Sequence, residues 1–524
     1  MASTVCRSRN DEDVKKKFDR IDRDGCIRRR LTDEVGRIDK QAPFTVALIY
    51  PSPYAVAMSS LGYQRIYRAI MESPGFACER VMLDDEAERD LRAQARPIGY
   101  ESRKPLEAFA VVAASVAYEL EIGRLVRLLD AAGIPALREQ RRGDRHPFVL
   151  AGGPLTFSNP LPLAPFCDAI VIGEAEEIMI KVLRILESIP RYDERLQALA
   201  RVSHVFVPAH HPAHHPLVPP IAKVPSEMIP AWAAIRTPHA VLSNMFLIEA
   251  ERGCSRRCTY CVMQRSASGG MRLVPKETIL RLIPKDARRV GLVGAAVSDH
   301  PNIVSIVSEL ADQGREVGLS SLRPDRLNDD FVGVLARAGY RTLTTAMDGP
   351  SERMRERLER KAKENHLVRA AELAKKYHMS RLKFYLMIGL PDETNDDIDE
   401  CIRLVTELSK IVPIALGVGP FCPKRNTPMA SEVFAGINVV EKRLERLRRG
   451  LRGRVDVRSV SAKWAWVESM IAQGGPEVGY AILDAARHGG HFAAYKNAFS
   501  RIDDGVQYGF TKMVDLSDDS RQTI

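Results

Sequence analysis

The chain has 524 residues, 45% hydrophobic and 27% charged, with a formal net charge of +10. That length exceeds what one hydrophobic core serves and predicts about two to four domains. No run of about 18 uninterrupted apolar residues occurs, which argues against a membrane-spanning helix. The first 40 residues are charged throughout and lack an apolar signal core. The nine cysteines show no paired framework, which fits a reducing interior, so a cytoplasmic location is expected.

In chain order, residues 1–43 read as a charged lead-in. Val46 to Tyr50 is a short apolar run halted at Pro51, the mark of a buried strand. A helical pattern follows from Leu61 to Met71. Phe109 to Ala114 predicts a second strand and Glu119 to Ala132 a helix. Phe148 to Ala151 predicts a third strand, stopped by Gly152-Gly153-Pro154, and Ala169 to Ile172 a fourth, stopped by Gly173. Apolar strands alternating with helices over 44–200 predict a doubly wound parallel sheet. Ligands on such sheets bind beyond the carboxyl ends of the strands, where Ser115, Gly152, Gly153 and Gly173 fall. Residues 201–240 are rich in proline and histidine (His204, His210, His211, His214, His215). A metal site is one reading; prolines break a shared ligand face, so the segment reads as a linker.

From 241 to 430 strands and helices alternate again. Strands are predicted at Met245 to Ala250, Arg289 to Val293, Glu316 to Leu322, Thr342 to Met347, Leu382 to Ile388 and Ile414 to Val418. Helices are predicted over 301–313, 325–338, 351–377 and 394–410. Six such units predict a partial (β/α)6 barrel, with chemistry at the strand carboxyl ends. After the first strand comes Glu251-Arg-Gly-Cys254-Ser-Arg-Arg-Cys258-Thr-Tyr-Cys261. Three cysteines spaced C-x3-C-x2-C make poor disulfide partners and good ligands for an iron–sulfur centre. A structural zinc site would want a fourth ligand at compatible spacing, and none is near. Residues 431–511 read as a helical subdomain capping the open barrel, and 512–524 as a polar tail. The basic run Lys442, Arg443, Arg446, Arg448, Arg449, Arg452 and Arg454 is interleaved with Glu441 and Glu445 and has no aromatics. It reads as a solvated helix face, and nucleic-acid binding is not favoured.

The cysteine spacing, with Tyr260 before the last cysteine, resembles the radical S-adenosylmethionine (SAM) superfamily. The resemblance implies a [4Fe–4S] cluster held by Cys254, Cys258 and Cys261, whose open iron SAM chelates. An electron from the cluster then cleaves SAM to a 5′-deoxyadenosyl radical. Gly294-Ala-Ala296 stands where that family often has G-G-E, without the glutamate, so the contact to the SAM amino group must be backbone or come from elsewhere. Ser321 and Arg323 end the third barrel strand, where polar side chains reach SAM. Ala346-Met-Asp348-Gly-Pro-Ser-Glu-Arg-Met-Arg355 resembles a stretch of the cobalamin-type relatives, with Asp348 for a glutamate. Arg360 or Lys361 then matches the base that pairs with the SAM carboxylate, and Gly389-Leu-Pro391 the turn beside the adenine. Cys422, in the last barrel strand's motif, reads either as a hydrogen-atom donor or extra ligand or as a small buried hydrophobe.

Residues 44–200 are similar to the cobalamin-binding domain preceding the barrel in B12-type relatives, through Tyr50-Pro-Ser-Pro53, Met58-Ser-Ser-Leu-Gly62, Ser115-Val-Ala-Tyr-Glu-Leu120, Gly152-Gly-Pro154 and Ile172-Gly-Glu-Ala-Glu-Glu177. Ala57 and Ser59 occupy the Asp and His positions of the D-x-H-x-x-G signature, so that loop supplies no histidine to cobalt. Relatives without the histidine either hold cobalamin or keep the domain as scaffold. The resemblance implies an α/β enzyme fed by an external one-electron reductant of flavodoxin or ferredoxin type. The expected chemistry is cobalamin-dependent methyl transfer or C–C bond formation. The alternatives are a methylthiotransferase-like RNA-modifying enzyme and a non-catalytic iron–sulfur protein that binds nucleic acid.

Overall fold

The computed structural model describes residues 23–143, 145–214, 220–263, 270–320 and 322–502. The expected tail at 512–524 lies outside them. The first sheet contains β1 (Phe44–Pro53), β2 (Phe76–Leu83), β3 (Val111–Ser115), β4 (Phe148–Gly152), β5 (Ala169–Val171) and β6 (Val205–Phe206), in the order β2-β1-β3-β4-β5-β6. Its strands are parallel except β6, which runs antiparallel to β5. Alternate residues serve two cores. Ala47, Ile49, Val112, Ala114 and Val149 face one, and Val46, Leu48, Val111, Ala113 and Leu150 face the other. Because both faces are buried, the strands read as continuous apolar runs.

β2 was not expected, because Glu79 and Arg80 interrupt its apolar pattern. All eight residues are nonetheless buried. Arg80 is balanced there by Glu34 at 2.6 Å and Glu101 at 2.7 Å. Glu34 comes from the lead-in, whose residues 23–32 are helical.

The face containing Ala47 and Val112 is covered by the helix Glu121–Ala131 and by Ala462–Gln473, Pro476–Arg487 and Phe492–Phe499. Of the helices expected to cap the barrel, Ile437–Leu451 packs into the barrel core, whereas these last three pack on the first sheet, with Ala462–Gln473 also meeting the segment after the strand Ile414–Pro420 through Cys422 and Lys424. Asn159 latches these three, its Nδ2 donating to the carbonyls of Ala472 at 3.0 Å and Gly474 at 2.7 Å.

The expected linker is a packed crossing. Ala222 bridges Gly173, and Trp232 bridges Ile248. Ala231, Ala233 and Ile235 are buried. Hydrogen bonds from Ala233 N to Leu247 O and from Glu249 N to Ala231 O cover the free edge of the barrel's first strand, which would otherwise present unpaired backbone. His204 and His211 are satisfied by backbone carbonyls.

The barrel arc comprises β7 (Met245–Glu249), β10 (Arg289–Val293) and β11 (Glu316–Leu319), then β12 (Thr342–Asp348), β13 (Arg381–Ile388), β14 (Ile414–Pro420) and β15 (Asp456–Ser459). Among the described residues the fourth strand does not pair with the third. Thr345 Oγ1 donates to Leu322 O across that break at 2.8 Å, and one core spans both sides. β15, half-exposed and polar, was not expected; it pairs parallel to β14. A small ribbon, β8 (Glu251–Gly253) with β9 (Met271–Leu273), follows β7. The single helix expected over 351–377 is two, Glu352–Arg357 and Glu364–Lys376. Between them Glu359 (φ 51°) and Lys361 (φ 57°) are left-handed, which ends the first helix and sets the position of Arg360. Among the described residues no helix is long and apolar enough to cross a membrane.

Candidate active site

Gly253 has φ 98°, a conformation that costs a side chain but not glycine. It turns the chain from β8 into the cysteine loop. Cys254, Cys258 and Cys261 are free thiols; Cys258 is buried and the other two partly so. The loop is tied down on both sides. Ser255 Oγ donates to Asp299 at 3.1 Å, and Arg256 pairs with the same carboxylate at 3.3 Å and with Asp325 at 3.4 Å. On the other side Thr259 N donates to Leu358 O, and Met429 N to Thr259 O. Tyr260 packs on a small core of Met354, Leu358, Leu390, Phe421 and Met429. The loop therefore lies across the strand carboxyl ends.

Burial raises the three thiols; Cys258 is raised further by Cys254, and Cys261 by both of the others. Among the described residues no three His, Cys, Asp or Glu side chains converge on a single metal ion. Three thiolates on one loop of eight residues, each free to take a different iron, fit a cubane better than one ion.

Arg360 lies close enough to Cys258 for their charges to interact and ion-pairs with Asp348. Asp348 ends β12 at φ 63°, and Tyr260 hydrogen-bonds its carboxylate. Arg360, Asp348, Tyr260 and Cys258 thus form one buried group. Burial pushes the Asp348 carboxyl up against the pull of Arg360. Arg323 is placed differently from expectation. It is buried and paired with Asp299 at 2.9 Å and Asp325 at 2.7 Å, so it braces the carboxylates that hold the loop instead of offering a free cation. Ser321 lies outside the described residues. Its neighbour Ser320 donates its Oγ to Gly294 O at 2.7 Å and accepts from Gly294 N at 3.1 Å.

Glu251 was missed. It is fully buried, and its Oε1 accepts from Ala296 N at 2.6 Å. A Cβ at Gly294 would lie 2.3 Å from that oxygen, so glycine there is a fit to the carboxylate. Its Oε2 has no hydrogen-bond partner. Glutamate placed before the first cysteine, instead of in the G-G-E turn, was the available signal. Gly389 (φ 74°) opens a turn closed by Glu393, whose Oε1 accepts from Gly389 N at 3.0 Å. Arg443 from the basic run holds that carboxylate at 2.9 Å, and Arg446 pairs with Asp399. The thiol of Cys422 hydrogen-bonds Ala465 O beside Lys424, which bridges Glu119 and Glu468.

Ser115, Gly152, Gly153 and Gly173 come together on one cavity of about 330 Å³. It sits beyond the carboxyl ends of β1, β3 and β4, where the strand order reverses. Its far wall is Glu249, Arg252, Gly253, Met263 and Val293, so it abuts the cysteine loop. Arg252 crosses the seam, reaching Glu249 at 2.6 Å, Glu176 at 2.9 Å and Glu174 at 3.4 Å. Arg272 also pairs with Glu174. The lining is otherwise largely apolar; glycine at 153 and 173 lets the loops pack on Val116 and Ala222, whose backbone a Cβ would approach to 2.7 Å. A corrin ring suits that apolar lining.

Residues 62–208 match the family described as "Radical SAM proteins, N-terminal", and residues 248–405 match the radical SAM superfamily. An uncharacterized protein of Methanocaldococcus jannaschii is 29% identical over 327 residues, 60% of this chain and 69% of its own. The ribosomal protein uS12 methylthiotransferase of Desulfosudis oleivorans is 23% identical over 208 residues; the match spans 36% of this chain and 45% of that protein. Among solved structures, the cobalamin-dependent S-adenosylmethionine radical enzyme OxsB, with aqua-cobalamin bound, aligns with 78% of this chain and 58% of its own at 13% identity and TM-score 0.48. Two matched regions in order, with the three-cysteine loop directly after the strand that opens the second, place the chain in the radical SAM superfamily.

Proposed function

We propose that the chain is a cobalamin-dependent radical SAM enzyme that transfers a methyl group to, or forms a C–C bond at, an unactivated carbon. One observation carries this reading: the cavity formed by Ser115, Gly152, Gly153 and Gly173 shares a wall with the cysteine loop through Gly253 and Met263. When bound, the cluster with SAM supplies a carbon radical and cobalamin supplies a methyl carrier. The protein's own residues do the rest. Cys254, Cys258 and Cys261 hold the cluster. Arg360, fixed by Asp348, lies beside Cys258 to meet a carboxylate. Glu251, with an unpaired buried oxygen at the Gly294 turn, takes the ammonium contact that the missing G-G-E glutamate would make. The turn at Gly389 offers close backbone approach to a planar base. An external one-electron reductant is required, as in the superfamily.

The methylthiotransferase reading has the sequence similarity over 36% of the chain in its favour. That chemistry needs a second cluster from three N-terminal cysteines. Cys78 and Cys167 face opposite sides of the first sheet, which works against a shared site. Cys6 lies outside the described residues.

The test is anaerobic reconstitution with iron, sulfide and hydroxocobalamin, then desalting and quantification of both metals. About four irons with one cobalt per chain is the expected result. Iron without cobalt would end the cobalamin reading and leave SAM cleavage standing. In Cys258→Ala, cluster and SAM cleavage should both be lost.

A further inference from the structure

Arg65 projects from the helix Leu61–Glu72 and lines the same cavity. It is 8% exposed, and its Nε is buried without a hydrogen-bond partner. No described residue forms an ion pair with it. The other charged groups of the lining are already used: Glu174, Glu176 and Glu249 are engaged by Arg252. One turn on, Arg68 stacks its guanidinium 3.4 Å from the Trp232 ring centroid. Burial, with repulsion from Arg65, pushes Arg68 down to about 10. Arg65 therefore adds an uncompensated positive charge to a mostly apolar wall. A desolvated charge without a partner is costly, and the cost is recovered if a ligand brings the partner.

The helix carrying Arg65 strengthens the case. It is 12 residues long, with Ser60 as its cap. Ser60, Leu61 and Gly62, at its positive end, line the cavity as well. A Cβ at Gly62 would meet nothing within 4 Å, so the space above the first turn is open. First-turn amides and a guanidinium on one wall are matched by a phosphate ester, which accepts from both.

We infer that Arg65 and the amino end of the helix Leu61–Glu72 form a phosphate-ester subsite in this cavity. If the cavity holds cobalamin, as proposed above, the group is the phosphodiester of its nucleotide tail. If it does not, the ligand is another phosphate ester of nucleotide type. Arg65 is then a specificity residue of the cavity, remote from the cysteine loop.

The full-length protein is compared with Arg65→Met and Arg65→Lys under anaerobic conditions. The probes are hydroxocobalamin, cobinamide (the same corrin without the nucleotide) and inorganic pyrophosphate. Readouts are the corrinoid absorption shift and the thermal midpoint. Wild type should bind cobalamin at least about tenfold more tightly than cobinamide, and Arg65→Met should erase the difference. Arg65→Lys should restore part of it. Without ligand, Arg65→Met should melt no lower than wild type, which separates lost recognition from lost folding. If neither corrinoid binds but pyrophosphate raises the midpoint of wild type and not of Arg65→Met, the subsite stands and the cobalamin reading falls. If Arg65→Met matches wild type with every probe, the subsite is wrong, whether or not cobalamin is retained.

Discussion

Arg360 is held against Asp348 beside Cys258. The cation expected to meet a substrate carboxylate is thus fixed by a carboxylate of the protein's own, next to a cluster-ligand position. The two partners should therefore behave differently. Arg360→Met strands the buried Asp348 charge and should cost about 3–5 kcal/mol, with SAM affinity falling at least about tenfold. Asp348→Asn keeps the shape and releases the guanidinium, so SAM affinity should hold or rise. Urea denaturation and calorimetric SAM titration check both. Equal losses of affinity would make Arg360 purely structural.

Asp299 accepts from Ser255 and pairs with Arg256, Arg323 and Arg326. Asp299→Asn should leave the three thiols in place but loosen the loop that carries them. Outer contacts to metal ligands are commonly worth about 10–100-fold in affinity. Iron loss to a chelator should therefore speed up by about tenfold at unchanged initial loading. Colorimetric iron release over time measures it.

Arg252 ties Glu249 of the barrel to Glu174 and Glu176, which follow β5 of the first sheet. Arg252→Met leaves three carboxylates short of a cation and should destabilise the chain by about 3–5 kcal/mol. Arg252→Lys should recover only part, since one ammonium cannot replace a forked donor. Denaturant titrations of both variants decide this.

The Glu251 carboxyl is pushed up to about 7, first by burial and then by Glu249 and Asp299. Unfolded, it titrates near 4.5. The folded chain thus binds the proton more tightly. The stability from this group is full below about 4.5 and is lost as pH rises through about 7. Glu251→Gln, neutral at every pH, should flatten that dependence. Between pH 5 and pH 8 the wild-type thermal midpoint should fall by a few degrees more than the variant's. Parallel melting curves would contradict the assignment.

Much of the fold was legible because the central strands of the first sheet are buried on both faces, so Val46 to Tyr50 announces itself as an apolar run, while barrel strands such as Leu382 to Ile388 bury alternate residues. The strands that escaped are the short β6, β8 and β9, and the longer β2 and β15. Arg80 is charged and buried at once, balanced by carboxylates distant in sequence, and no local pattern reports that. β15 is a polar edge strand defined by pairing alone. At the site, the cysteine spacing was readable because the ligands are contiguous. Arg323 was misread because its two aspartates lie 24 and 2 residues away, and only folding shows that they consume it. Glu251 offered only its place before the first cysteine, and Arg65 gave no signal, since a buried charge without a partner looks in sequence like any surface residue.

The Asn159 latch and the apolar residues between Val467 and Phe499 complete a face of the first sheet. During synthesis that sheet, though made early, must wait for about 300 further residues before its open side is covered. At about 5–20 residues per second, an apolar surface stays unburied for tens of seconds while the barrel is being made. The early part of the chain is therefore the last to finish folding. Helpers that shield nascent chains should associate with stalled chains ending near residue 460 and release those extended past 500.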